Sequence, residues 1–331
     1  MPTRPERGVA MQASSQTIEV EIAARTAADR RHVVFDLVAA EGGDLPPWTA
    51  GSHIELRWVS DGQEYVRQYS LCGESFSGPV WRIAVLREKK SRGGSAFLCD
   101  QAKVGMRFQA RGPRNNFPFV PHRRVTLIGA GIGITPILPM AFEAQAQGCD
   151  WRLLYLVCER QDVCLRESLD KLPPERVSYR YTAETGRMNL DEWAGTLGDG
   201  DAVFVCGPLR LLDDLVAIHE ARPVWKLHLE RFENPNKTSA GGDAGFDLVL
   251  ARSGKTYRVE PGETILDVLR RDGWQLEWSC CEGVCGTCEQ VVLQGVPDHR
   301  DAVLTPEERQ ANSHMMICVS RALTPSITLD L

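Results

Sequence analysis

The chain has 331 residues and a mass of 36.8 kDa, which at roughly 100–200 residues per domain leaves room for two or three domains. Hydrophobic residues make up 43% and charged residues 25%, a balance that excludes wholesale disorder. The net charge of −6, from 38 basic and 44 acidic residues, carries no basic block, so neither nucleic acid nor an anionic membrane is an expected partner.

The opening stretch MPTRPERGVAMQASS has no apolar core and does not read as a secretory signal. From Thr17 to about Pro118 the pattern is strand-rich: TIEVEIAAR, HVVFDLVA, HIELRWV, EYVRQYSLC and WRIAVLR are separated by Gly, Pro and Asp turns. Short strands at near-regular spacing predict a sandwich or closed barrel, with a short helix over 95–102. From about Pro121 to Phe232 the rhythm changes. RVTLIGAG, WRLLYLVC, VSYRYT, AVFVCGP and WKLHLERF read as strands, PILPMAFEAQAQG and LRLLDDLVAIHE as helices. That alternation predicts a parallel sheet with helical crossovers. Val125 to Phe142 carries no charge, but three glycines and two prolines break it into strand, turn and helix start rather than a membrane span. ENPNKTSAGGDAG, 233–245, is polar and reads as a linker. The last unit, 246–331, offers a hairpin (FDLVLARSGKTYRV), a short helix with Thr264 and Asp267 placed as a capping box, a cysteine-rich loop and the strand EQVVLQG.

That loop carries the sharpest signal. Cys280-x4-Cys285-x2-Cys288, followed by Cys318 after 29 intervening residues, is the spacing of plant-type [2Fe–2S] centres. Gly283 and Gly286 let three thiolates curl to one point, with backbone N–H groups free to face sulfur. Zinc is the alternative, but zinc loops favour two knuckles and there is one. A Rieske centre needs two histidine ligands, and no C-x-H pair occurs. Cys281 has the wrong spacing and is a bystander. Eleven cysteines, four of them within nine residues, suit a reducing compartment better than a disulfide framework.

The C-terminal unit, with VPDHRDAVLTPEER and MMICVSRA, resembles the phthalate dioxygenase reductase family, whose C-terminal ferredoxin domain is a β-grasp. Two further segments fit. Arg67-Gln68-Tyr69-Ser70 ends a barrel strand, and Arg92-Gly93-Gly94-Ser95 opens the predicted helix, a seat for phosphate with Arg67 and Arg92 adding charge. Tyr69 offers a flat face and Ser70 a hydroxyl to a flavin ring. Together these segments resemble the flavin site of ferredoxin-reductase-like proteins, and the resemblance implies FMN and adds Ala84, Val85 and Leu86; the residues themselves leave FAD open.

Gly129-x-Gly131-x-Gly133-x-Thr135-Pro136 sits between a strand and a helix, where a pyrophosphate can approach the backbone. With Cys206-Gly207-Pro208 it resembles the superfamily's nicotinamide site, which implies that Cys206 lies beside the nicotinamide and Thr135 between it and the flavin. In Glu230-Arg231-Phe232 the resemblance places the aromatic against the flavin. Glu159 favours a free ribose hydroxyl and Arg160 a phosphate; family membership favours NADH over NADPH.

The expected organisation is therefore multidomain: an antiparallel β-barrel flavin domain (16–118), an α/β parallel-sheet nicotinamide domain (119–232), a linker (233–245) and an α+β β-grasp [2Fe–2S] ferredoxin domain (246–331). Ser70, Thr135 and Cys206 are the candidate catalytic residues. The seven histidines are scattered, with no metal-binding pair in sequence, so substrate oxidation belongs to a partner. The resemblance makes that partner a Rieske-type non-haem iron oxygenase acting on an aromatic acid, a methoxy-aromatic or a quaternary amine, with this chain a cytoplasmic, monomeric NADH-dependent reductase. A cytochrome P450 or free ferredoxin as acceptor, and a non-catalytic NADH-responsive redox sensor, are the other readings.

Overall fold

The computed structural model describes residues 17–89, 93–236 and 244–331. Six antiparallel strands come first: β1 (Thr17–Ala27), β2 (His32–Ala39), β3 (Ser52–Ser60), β4 (Gln63–Ser70), β5 (Trp81–Leu86) and β6 (Arg107–Asn115), with the short helix α1 (Gly94–Asp100) before β6. Their order is β4-β3-β6-β1-β2-β5. The two edges meet where Leu71 bridges Ile83 and the Cys72 N–H donates to the Arg82 carbonyl at 2.9 Å, so the sheet curls into a barrel. Strand alternation sends Val20, Ile22, Phe35, Leu37, Ile54, Leu56 and Ile83 inward. Each such residue contributes about 1.5–3 kcal/mol by leaving water. β6 lies mid-sheet, paired to β1 and β3, although Gly112-Pro113 within it reads as a turn. Cross-strand pairing outweighs that local preference, and Phe108 and Ala110 anchor the strand in the core.

The second sheet is wholly parallel. It contains β7 (Arg124–Ala130), β8 (Asp150–Val157), β9 (Val177–Tyr181), β10 (Asp201–Cys206) and β11 (Lys226–Glu230), in the order β11-β10-β7-β8-β9. The connections carry α2 (Ile134–Ala146), α3 (Arg166–Leu169), α4 (Thr182–Thr185), α5 (Leu190–Ala194) and α6 (Leu209–Ala221). β10 is buried from end to end, as expected of a central strand covered on both faces. On one face α2 packs Ile134, Ile137 and Ala141 with Leu127, Leu153 and Phe204. On the other, Leu212 and Leu215 of α6 meet Ile128, Val203 and Val205. The α2-side core runs on into the barrel through Ala50, Cys72, Ala84, Phe117 and Phe119. Glu74 adds a polar tie, accepting from Ser168 Oγ at 2.8 Å and Lys171 Nζ at 2.7 Å. Barrel and parallel sheet thus form one compact unit ending at Glu230. The uncharged stretch from Val125 resolves into β7, a glycine turn and α2, and among the described residues no helix is long and apolar enough to cross a membrane.

The second unit begins at Arg231. It holds β12 (Phe246–Leu250), β13 (Thr256–Val259), α7 (Ile265–Arg271), β14 (Glu289–Gln294), β15 (Pro297–Asp298), α8 (Pro306–Ala311), β16 (His314–Met316), β17 (Arg321–Ala322) and β18 (Ser326–Leu329). The sheet order is β13-β12-β18-β14-β16, with β12 and β18 parallel. α7 lays Ile265, Leu266, Val268 and Leu269 onto a core with Phe246, Leu248, Ile327 and Leu329, the β-grasp arrangement. Thr264 caps α7 by accepting from the Asp267 N–H at 3.0 Å, but the Asp267 carboxylate takes the Thr264 hydroxyl (2.7 Å), so the reciprocal half of the expected capping box is replaced by a side-chain bond. Between α7 and β14 the chain has no regular structure, and three of the four spaced cysteines lie there.

Candidate functional site

The strand order of the parallel sheet reverses between β7 and β10, and ligands of such sheets bind at the carboxyl ends of the strands on either side of that point. Both predicted nucleotide segments sit there. The turn Gly131–Gly133 follows β7 and leads into α2; Cys206-Gly207-Pro208 ends β10 and starts α6. The two backbones are in contact. A Cβ at Gly133 would lie 2.2 Å from the Cys206 carbonyl oxygen, and one at Gly207 would lie 2.7 Å from Ala130 Cβ. Gly131 takes φ +55° with open space around it, so the chain can bend while leaving room for a ligand. At Gly129 a Cβ would lie 3.0 Å from Ile134 Cα, which lets α2 begin close to β7.

Thr135 is 2% exposed and its hydroxyl donates to the Ile132 carbonyl at 2.9 Å. It braces the turn from within. Tyr155 on β8 supports the turn from outside: its hydroxyl donates to the Gly131 carbonyl at 3.1 Å and accepts from the Cys164 N–H at 3.3 Å. Sequence reading gave this tyrosine only a place in a buried strand.

Cys206 is fully buried, and burial followed by the nearby Glu230 charge pushes its thiol well above the ordinary value. It is a neutral, apolar-faced group rather than a thiolate. Glu230 pairs with Cys206 in the β10–β11 register. Its Oε2 is buried with no hydrogen-bond partner, and burial raises its pKa from about 4.5 to about 8. The sequence placed Glu230 at the end of a strand, with no role; an acid at the carboxyl end of the strand paired to the buried β10 is the signal that marks it.

The predicted flavin segment lies on the barrel of the same unit. Arg67 and Tyr69 share one face of β4 by alternation, with Gln68 and Ser70 on the other. Ser70 is 7% exposed. Burial pushes the Tyr69 phenol far up, so the hydroxyl stays protonated, and its ring packs against the barrel core. The structure brings Arg67 to the start of α1: a Cβ at Gly94 would lie 2.7 Å from Arg67 Nε, and one at Gly93 (φ +92°) 2.6 Å from the Tyr65 hydroxyl. Ser95 Oγ accepts from the Glu88 N–H at 3.3 Å. Ala84 and Val85 are buried on β5 and Leu86 is half-buried. β5 in turn packs against the Gly131–Gly133 turn, so the flavin and nicotinamide segments named from sequence adjoin within one unit. Arg92 lies outside the described residues. Phe232 is 38% exposed and falls in the second unit.

In that second unit the four spaced cysteines converge. The Cys280 thiol hydrogen-bonds those of Cys285 and Cys318, and Cys318 also reaches Cys288. Cys285, Cys288 and Cys318 are each no more than 5% exposed. Gly283 and Gly286 take φ +71° and +75°, and Cys281 takes φ +53°, so the loop curls through left-handed residues and carries Cys281 round the bend. The Glu282 N–H donates to Cys280 Sγ at 3.3 Å. Four thiols drawn together, three buried and Cys280 half-buried, with a backbone N–H already on sulfur, are a donor set that fits a [2Fe–2S] cluster.

Two outcomes follow from this geometry. Gly133→Ala has no space beside the Cys206 carbonyl, so the strand ends must part; NADH-driven flavin reduction should fall on the order of a hundredfold while flavin content holds, measured by stopped-flow absorbance. Glu230 sets a pH dependence. Its folded pKa lies above its unfolded one, so both states are protonated at low pH. As pH rises from about 4.5 toward 8 the unfolded chain releases its proton first and the folded state loses stability. The melting temperature of Glu230→Gln should therefore gain on the parent between pH 5 and pH 8. A constant gap would refute the assignment.

Comparison with known proteins agrees with these features. The family of the 2Fe-2S iron-sulfur cluster binding domain matches residues 248–323. The carnitine monooxygenase reductase subunit of Escherichia coli (strain K12) is 39% identical over 303 residues, covering 90% of this chain and 93% of its own length. The crystal structure of an intact type IV self-sufficient cytochrome P450 monooxygenase superposes with a TM-score of 0.85 at 35% identity over 95% of this chain, which spans only 41% of that longer protein. Phthalate dioxygenase reductase, described as a modular structure for electron transfer from pyridine nucleotides to [2Fe–2S], superposes with a TM-score of 0.70 at 31% identity, over 95% of this chain and 98% of its own. With 90–95% of the chain matched at 31–39% identity in these relatives, the chain belongs to the phthalate dioxygenase reductase family.

Proposed function

We propose that this protein is the reductase component of a Rieske-type non-haem iron oxygenase, carrying electrons from NADH through FMN to a [2Fe–2S] cluster and on to the oxygenase. One observation carries the reading: a glycine turn and a Cys-Gly-Pro turn in backbone contact, adjoining strand β5 of the barrel whose β4 bears Arg67 and Tyr69, on a chain that also gathers four thiols. We assign the flavin domain to 16–118, the nicotinamide domain to 119–232 and the ferredoxin domain to 246–331, with 233–245 between the last two.

Arg67 with Gly93, Gly94 and Ser95 holds the flavin phosphate by charge and backbone N–H groups, and Arg92 is a further candidate. Tyr69, Ser70 and the strand 84–86 line the ring site, and Phe232 is the family's candidate for its other face. Gly129, Gly131 and Gly133 admit the pyrophosphate, and Cys206, Gly207 and Pro208 border the nicotinamide. Cys280, Cys285, Cys288 and Cys318 are the cluster ligands. A bound flavin would supply the conversion of one hydride, carrying two electrons, into single electrons for the cluster. The protein's work is to align and to exclude water. Neutral Cys206 and an uncharged Glu230 keep negative charge away from the path of a hydride.

The choice of NADH has a local basis. Arg160 donates to Glu184 through Nε and a terminal nitrogen at 2.8 and 2.9 Å, and its guanidinium lies 4.4 Å over the Tyr181 ring. The cation is engaged, and the Glu159 carboxylate at the strand end, which caps the next turn and accepts from Gln161 Nε2, is the acceptor we assign to a ribose hydroxyl. All eleven cysteines are free thiols, which suits the cytoplasm. A carnitine relative supports a quaternary amine as the substrate class of the partner oxygenase, beside the aromatic acids and methoxy-aromatics. The likeness to a self-sufficient cytochrome P450 favours one second reading, a P450 as acceptor.

Cys285→Ser should lose the cluster's iron and visible absorbance yet keep NADH-driven flavin reduction, while electron delivery to cytochrome c falls to background; unchanged delivery would overturn the relay. Glu184→Ala should release Arg160 and raise kcat/KM for NADPH relative to NADH by about tenfold, the worth of one charge-assisted contact to a phosphate. Reduction rates measured with a purified Rieske oxygenase against a purified P450 decide the acceptor.

A further inference from the structure

The polar segment after β11 begins as part of the cluster unit. Asn234 Nδ2 donates to two carbonyls, those of Glu282 at 2.8 Å and Arg300 at 2.6 Å. Asn234 Oδ1 accepts from the Asn236 N–H at 2.9 Å, and Asn236 Nδ2 donates to the Asp301 carbonyl at 2.8 Å. Glu282 lies between Cys280 and Cys285, whereas Arg300 and Asp301 lie after β15. Those two segments also meet directly, the Ala302 N–H donating to the Gly283 carbonyl at 2.8 Å. At Gly283 a Cβ would lie 3.0 Å from both Asn234 Nδ2 and Asp301 Cα, and 2.6 Å from Val319 Cγ2. One side chain therefore ties three stretches of chain around the residue that curls the loop.

Peptide geometry gives this tie a consequence. In a trans peptide the C=O and N–H point opposite ways. Holding the Glu282 carbonyl on Asn234 turns the Gly283 N–H away from Asn234. The preceding peptide already gives the Glu282 N–H to Cys280 Sγ. Two successive N–H groups of the loop are thus fixed in direction, one by sulfur and one by the asparagine. Donors near cluster sulfurs set its potential. An amide side chain is what the place needs: two N–H donors for two carbonyls and one oxygen acceptor for Asn236. Aspartate has the same shape but would set a carboxylate oxygen against those two carbonyls.

We propose that Asn234 is a positioning residue for the cluster loop, fixing the Glu282–Gly283 peptide so that the Gly283 N–H faces the cluster sulfurs, with Asn236 bracing it through Asp301. The stretch 234–236 is then a functional part of the electron-transfer unit and not a spacer. This rests on the assignment of Cys280, Cys285, Cys288 and Cys318 to the cluster. The test uses full-length protein as parent, Asn234→Ala, Asn234→Asp and Asn236→Ala, with iron content, EPR-monitored potentiometry of the reduced cluster and the rate of iron loss to a chelator. Asn234→Ala and Asn234→Asp should shift the midpoint potential and the EPR signature and lose iron about tenfold faster, as expected for two lost hydrogen bonds; Asn236→Ala should change both in the same sense and by less. Flavin reduction by NADH should stay at the parent rate in all three. If Asn234→Ala fails to fold, the isosteric Asn234→Asp carries the same comparison. Iron-replete variants with the parent's potential, spectrum and iron retention would overturn the role of Asn234. A parent that binds no iron would overturn the cluster assignment instead.

Discussion

The reductase half of the molecule depends on a backbone contact that tolerates no side chain. A Cβ at position 133 would fall 2.2 Å from the Cys206 carbonyl oxygen, so the turn after β7 and the turn after β10 approach as closely as two peptide chains can. Everything at the switch point follows from that contact. It sets the start of α2 against β7, places the buried Cys206 beside the glycine turn and fixes Glu230 next to Cys206 through the β10–β11 register. Tyr155 and Thr135 hold the turn by hydrogen bonds from either side. A site assembled from backbone in this way is rigid before any ligand arrives, which is where most of a positioning enzyme's rate comes from.

Charge is distributed unevenly between the two ligand faces. The barrel side presents Arg67, held against Gly94 and over the Tyr65 ring, where a phosphate needs a fixed cation. The switch-point side presents groups kept neutral by burial: a thiol pushed up and a carboxyl whose pKa reaches about 8. The contrast is that between the two ends of a flavin, an anionic tail and a ring that accepts hydride, and under the proposed assignment both faces belong to one compact unit.

The sequence carried what depends on spacing or on runs of one residue type. The cysteine loop, the glycine turn, the alternation of the parallel sheet and the R-x-Y-S strand were all legible, because each is a local pattern with one physical reading. What escaped has in common that its meaning comes from a distant partner. β6 holds a Gly-Pro pair that reads as a turn until β1 and β3 pair with it. Tyr155 is an unremarked member of a buried strand until the Gly131 carbonyl is above it. Asn234 and Asn236 sit in a run of Asn, Pro, Gly and Ser that is indistinguishable from a spacer by composition, and their role appears only with the carbonyls of Glu282, Arg300 and Asp301 around them. Glu230 was visible as a residue, but not that its Oε2 lies buried without a hydrogen-bond partner.

The division of the chain into units follows the division of the chemistry. Hydride moves with its nucleus and needs donor and acceptor atoms in contact, so under the proposed assignment the parallel sheet and the barrel must keep their relative position. They share one hydrophobic core, with Ala50, Cys72, Ala84, Phe117 and Phe119 packed among the residues of α2 and β7, and cores of that density do not slide. A single electron tunnels and tolerates distance, so the cluster requires no such shared core. Its thiols belong to a unit with a core of its own, Phe246, Leu266, Ile317 and Ile327 among them. The first residues after Glu230 belong to that unit and serve the cluster loop.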